Sequence, residues 1–117
     1  MATFTKTLLS QSTNGRPILV VATTSPGTAV HTAVSGSASL DEVWLYAHNS
    51  SAATVKLTVD YGGVSAPTDV FEINVGAEGT GLALVCPGVL LQNSLLIKAY
   101  AATASVVTLT GYVNRIS

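Results

Sequence analysis

The residues able to do chemistry are few and scattered. Two histidines (His31, His48), one cysteine (Cys86) and six carboxylates (Asp41, Glu42, Asp60, Asp69, Glu72, Glu78) are the histidine, cysteine and acidic side chains from which a catalytic or metal site could be drawn. Cys86 lies between an apolar run and Pro87-Gly88, with no base or cation nearby in sequence to activate it, so it reads as a structural thiol. Being alone, it forms no intramolecular disulfide. His31 and His48 lack the spacing of a ligand pair, and a zinc site needs three or four converging ligands. Asp41 and Glu42 are adjacent, so a strand points them to opposite faces, which is wrong for a pair acting on one substrate. They read as solvated residues opening a strand. Asp60, Asp69, Glu72 and Glu78 lack the spacing of a calcium loop. Gly76 to Gly81, GAEGTG, has no lysine and leads into a strand-like run rather than a helix, so it reads as a turn and not a phosphate cradle. Asn49-Ser50-Ser51 matches a glycosylation sequon, which matters only behind a signal peptide. The opening MATFTKTLLSQS has no sustained apolar core after Lys6. The expectation is a protein that is not an enzyme and takes no cofactor and no metal.

The elements that would carry these residues are strands. The stretch Asp41 to Gly63 alternates Val43, Leu45 and Ala47 with Trp44, Tyr46 and His48. After Asn49-Ser50-Ser51-Ala52 it alternates Val55, Leu57 and Val59 with Lys56, Thr58 and Asp60. A period of two marks a strand with one buried face, and the short polar break predicts a hairpin. Its outer face would gather Trp44, Tyr46, His48 and Lys56, with Tyr100 and Tyr112 on the outer face of the last two strands. These six are the candidate interface residues, because Trp and Tyr are enriched where partners bind. The alternative is that the chain's own Thr23–Leu40 segment covers them.

Elsewhere, residues 2–9 alternate like an edge strand or arm, with Lys6 among the apolar positions. Pro17 to Ala22 is a continuous apolar run, suited to a strand buried on both faces. Ala29 to Val34 predicts a short strand, and Asp69 to Val75 one with Phe71, Ile73 and Val75 inward. Leu82 to Val85 reads as a strand ended by a Pro87-Gly88 turn, before Val89 to Leu91. Gly111 within the last strand signals a bulge or a close backbone approach. Turn signals recur roughly every 8–12 residues with no amphipathic helix. The expected fold is all-β: a single antiparallel β-sandwich, jelly-roll or Ig-like, of about eight to nine short strands. One domain is expected, with residues 1–12 as an N-terminal strand or arm and 13–117 as the sandwich.

Composition narrows the function. Charged residues make up 9% of the 117, against about 25% in an ordinary soluble domain, while the hydrophobic fraction is 48%. No apolar run approaches the ~18 residues that span a bilayer, and a net charge of −1 gives no footprint for nucleic acid. So apolar, weakly charged a surface is expected to face other subunits, the alternative being a surface rich in Thr, Ser and Asn that is uncharged but well hydrated.

The runs VWLYAHNSSAATVKLTVDYGG and GLALVCPGVLLQNSLLIKAYAATASVVTLTGYVNRIS carry a further signal. A strand ending in NSS, another ending in YGG, a PG-hydrophobic-LQN turn, an AYAA strand and a terminal GYVNRI resemble small β-rich virion proteins of tailed bacteriophages. The resemblance covers residues 41–117 and consists of turns and core, so no functional residue carries over. It implies a capsid decoration (cement) subunit, synthesised in the host cytoplasm and carried on the virion. Its partners would be the major capsid protein or other virion proteins, and it would form a homo-oligomer, as a trimer at local three-fold positions. The alternative it leaves open is a tail, baseplate or fibre component, including a receptor- or carbohydrate-binding module.

Overall fold

A computed structural model describes residues 2–117. Over the described residues the fold is all-β, with nine antiparallel strands: β1 (Phe4–Leu8), β2 (Ile18–Val20), β3 (Thr28–Thr32), β4 (Leu40–Asn49), β5 (Val55–Tyr61), β6 (Val70–Val75), β7 (Ala83–Leu91), β8 (Leu96–Ala101) and β9 (Val107–Ile116). They form two sheets. One runs β1-β9-β4-β7, with β2 also pairing β9, and the other runs β3-β8-β5-β6. Buried residues from both sheets belong to one hydrophobic cluster, including Val43, Leu45, Leu57, Val59, Ile97 and Leu109. Strand alternation explains its membership: β4 and β9 contribute their odd-numbered residues, as do β5 and β8.

The expected hairpin across Asn49–Thr54 is not there. β4 lies in the five-stranded sheet and β5 in the other, so the chain arches from sheet to sheet. Asn49, almost wholly buried, builds the arch. Its Nδ2 donates to Ala53 O (2.8 Å) and Val75 O (3.2 Å), while its Oδ1 accepts from Ser51 N (2.9 Å) and Ser51 Oγ (2.8 Å). One asparagine thus satisfies backbone groups that a hairpin ladder would otherwise take up. Periodicity reports which face a residue occupies, not which strand it pairs with. Among consecutive strands only β5 and β6 are hydrogen-bonded neighbours.

Three further expectations change. β2 is a short strip on β9 whose Leu19 is exposed, followed by exposed Val21, so PILVVA is not buried on both faces. Pro87-Gly88 does not end a strand. β7 runs through it, with register shifts between Val43/Trp44 and Leu45/Tyr46 of its partner β4. β7 sits at the sheet edge, where a proline without N–H is tolerated. Asp41 is not solvated. As an odd-numbered residue of β4 it points inward and is fully buried.

β1 and β2 follow one another along β9, Phe4–Leu8 opposite Ile116–Tyr112 and Ile18–Val20 opposite Leu109–Val107. They act as one strand interrupted by an excursion over residues 9–17. That excursion is anchored, not loose: Leu9 is in the core and Gln11 N donates to Val30 O (3.3 Å). Of the expected arm 1–12, residue 1 lies outside the described residues.

Candidate interaction surface

The outer face of the five-stranded sheet is built from the even-numbered residues of β4 and the residues beside them. Trp44 is paired with Tyr112, Tyr46 with Thr110 and His48 with Thr108 on β9, while Trp44 meets Pro87 and Tyr46 meets Leu84 on β7. The Trp44 and Tyr112 rings stack at 6.4 Å between centroids, 17° from parallel. Lys6 Nζ sits 4.8 Å over the Tyr112 ring, a cation–π contact that uses the edge lysine of β1 to cover an aromatic. Trp44 Nε1 donates to Glu42 Oε1 (2.8 Å), which also accepts from Asn114 Nδ2 (2.9 Å). These two bonds hold the Glu42 carboxyl below its ordinary pKa. A Cβ on Gly88 would lie 2.9 Å from the Trp44 ring, so the glycine lets β7 close over the indole.

Around this half-buried platform the face is apolar. Phe4 (69% exposed), Leu8 (53%), Leu84 (46%) and Leu90 (50%) share it, with Leu19 on β2. The Thr23–Leu40 segment does not cover it. Ser25 Oγ donates to Asp60 Oδ2 (3.0 Å), which places that loop against the other sheet.

The six candidate interface residues therefore separate. Trp44, Tyr46, His48 and Tyr112 come together on one sheet. Lys56 and Tyr100 belong to the outer face of the other, where Lys56 pairs with Glu72 (3.0 Å) and Tyr100 lies opposite Thr58. The split follows from two crossings between the sheets: the β4–β5 arch carries Lys56 away from the β4 aromatics, and the β8–β9 connection separates Tyr100 from Tyr112.

The chemistry-bearing residues converge elsewhere, inside the molecule. Asp41 on β4 accepts from Arg115 of β9 through Nε (2.7 Å, to Oδ1) and Nη2 (3.0 Å, to Oδ2), from the Val34 amide (3.1 Å) and from His31 Nε2 (2.8 Å). His31, on β3 of the other sheet, accepts at Nδ1 from the Ser10 amide (2.9 Å). An imidazole whose Nδ1 accepts carries its proton on Nε2, so His31 is neutral and donates to Asp41. Burial pushes the Asp41 carboxyl up, yet the hydrogen bonds of Arg115 and His31, the Arg115 charge and the Val34 amide together hold it below the ordinary value. The Arg115 guanidinium is raised in turn, chiefly by its bond to Asp41.

Ser10, His31 and Asp41 have the residue types of a catalytic triad but not its geometry. The serine presents its backbone N–H to the ring, and its hydroxyl oxygen accepts from Thr32 N (2.7 Å). A nucleophile needs its hydroxyl on the base. With His31 buried as well, the cluster is an inter-sheet polar clasp. Residue types alone missed it because its members lie at positions 10, 31, 41 and 115. The one available signal was an acidic residue at an inward position of a strand.

Cys86 is buried, and desolvation raises its thiol pKa. Among the described residues no three His, Cys, Asp or Glu side chains converge as a metal site requires. No helix among them is long and apolar enough to cross a membrane. Comparison with protein-family models, with curated proteins and with solved structures returned no match.

Proposed function

We propose that the chain is a structural virion protein: a capsid decoration subunit that binds neighbouring capsomers through the outer face of its five-stranded sheet and assembles as a homo-oligomer, with a trimer as the working assumption. The observation that carries the reading is that face itself, where exposed Phe4, Leu8, Leu19, Leu84 and Leu90 surround the Trp44–Tyr112 stack, whose charged neighbours Lys6 and Glu42 are both engaged with its rings. Apolar patches of this kind on a weakly charged chain mark contacts between proteins. The similarity of residues 41–117 to small phage virion proteins points the same way.

The strand order supports a jelly-roll β-sandwich over an immunoglobulin-like one. With β1 and β2 counted as one strand, each sheet has four positions and nearly every connection crosses between sheets, as in a double Greek key. Immunoglobulin-like domains instead keep several consecutive strands paired as hairpins. Jelly rolls serve viral shells and also lectins, so fold alone does not choose between decoration and a carbohydrate-binding tail module. The site favours decoration, because the polar groups beside the aromatics, Trp44 Nε1, Glu42 and Asn114, are already bonded to one another. A sugar site needs such groups free for hydroxyls.

Co-sedimentation with decoration-free capsids tests the reading. The wild-type chain is expected to pellet with the shells, and Leu84→Asp to stay in the supernatant while remaining folded. A wild-type chain that never pellets, together with glycan-array binding lost in Trp44→Ala, would move the assignment to the tail module.

A further inference from the structure

At one end of the four-stranded sheet, on its outer face, lies a depression of about 290 Å³. Val64, Leu95 and Leu96 form its apolar walls, the Gly62 turn its end, and Asp60 and Lys98 its polar lining. The walls are fixed: Gly62 N donates to Leu96 O (2.8 Å), and Tyr61 N to Asp69 O (2.7 Å). A Cβ on Gly62 would meet Leu91 and Leu95 side chains at 3.2 and 3.5 Å, so the turn is seated on leucines.

Asp60 is the unusual member. It is 1% exposed, and only one carboxylate oxygen is used: Oδ2 accepts from Ser25 Oγ at 3.0 Å, while Oδ1 has no hydrogen-bond partner. Buried polar atoms are bonded in nearly all native structures, so each orphan calls for an explanation. Lys98 stands directly opposite Asp60 on β8, yet the ion pairs among the described residues are Arg115–Asp41 and Lys56–Glu72, and neither includes Asp60 or Lys98. Lys98 and Asp60 are the charged groups lining the depression, and Val70 flanks Asp60 on β6.

We propose that this depression is a binding site for a primary ammonium on a short aliphatic stem, the chemistry of a lysine side chain presented by another protein or of a free alkylamine. The stem lies along Val64, Leu95 and Leu96, as lysine stems lie on apolar surface elsewhere. The ammonium donates to Asp60 Oδ1, and a charged donor suits a carboxylate better than a neutral one. Lys98, opposite Asp60 on β8 and lining the same depression, is the built-in competitor. The proposal does not depend on the virion assignment.

Amide chemical shifts of Gly62, Gly63 and Leu96 read the site directly. Titration with n-butylammonium is expected to saturate them at concentrations at least about tenfold below n-butanol, a ratio worth about 1.4 kcal/mol. Asp60→Asn is expected to abolish that preference, and Lys98→Gln to tighten n-butylammonium binding. A lysine residue capped as an amide at both ends separates the sources: binding like n-butylammonium assigns a protein side chain, and failure beside a binding n-butylammonium assigns a small amine. Equal affinity for amine and alcohol, an unchanged preference in Asp60→Asn, or amides that do not respond would each overturn the proposal. If Asp60→Asn fails to fold, the amine–alcohol comparison on wild type and Lys98→Gln decides.

Discussion

Asp41 concentrates the polar energetics of the molecule in one side chain. It ties β4 to β9 through Arg115 and reaches the other sheet through His31. Removing it leaves the His31 Nε2–H and the Val34 amide without their acceptor, while Arg115, one-third exposed, recovers water. Asp41→Ala is therefore expected to destabilise the fold by roughly 2–4 kcal/mol, toward the lower part of the range for broken buried pairs, measured by urea unfolding. The pH dependence has a defined sign. The folded pKa lies below the reference value of 3.8, so the carboxylate's contribution is complete above that value and is lost as pH falls through the folded pKa. Asp41→Asn is expected to unfold with a shallower dependence on pH below about 4 than wild type. A mutant curve parallel to wild type there would remove Asp41 from the account of acid sensitivity.

Single elements make two further predictions. Gly111 of β9 lies opposite Leu45 with φ +154°, and a Cβ there would drive into the Trp44 backbone carbonyl. The glycine marks a close approach, because the β4–β9 register is unbroken. Gly111→Ala is expected to cost more than about 3 kcal/mol, since backbone rather than a movable side chain must give way. A thermal midpoint within a few degrees of wild type would contradict this. The first strand divides in two by function. β1 is an exposed edge whose Phe4 and Leu8 project outward, whereas Leu9 fills the core and the Ser10 amide fixes the His31 tautomer. Deleting residues 2–7 is expected to leave a folded chain with weaker association. Deleting 2–12 is expected to lower stability by several kcal/mol through the lost leucine and the orphaned imidazole. Circular dichroism melts of the two truncations separate these outcomes.

At the scale of the whole molecule, the low charge and the apolar outer face predict self-association: light scattering at micromolar concentration is expected to report an oligomer, and Leu84→Asp with Leu90→Asp to reduce it. A wild-type monomer would break the link between composition and contact. Much of the architecture was legible in the chain. The alternation of Val43, Leu45, Ala47 and of Val55, Leu57, Val59 named the core residues, because side chains on a strand take opposite faces by geometry alone. Gly111 signalled a bulge or a close backbone approach, and the unbroken β4–β9 register decides for the approach. What the sequence could not carry was pairing. Asn49 turns the chain into the opposite sheet through bonds to Ala53 and Val75, the latter 26 residues away, and that arch separates Lys56 from Trp44, Tyr46 and His48, as the β8–β9 crossing separates Tyr100 from Tyr112. Nor could spacing reveal the clasp of Ser10, His31, Asp41 and Arg115, or the unpaired oxygen of Asp60. Alternation is a local property and fixes strand, face and core. The convergence of distant residues depends on which strands the sheets place side by side, and only the tertiary structure decides that.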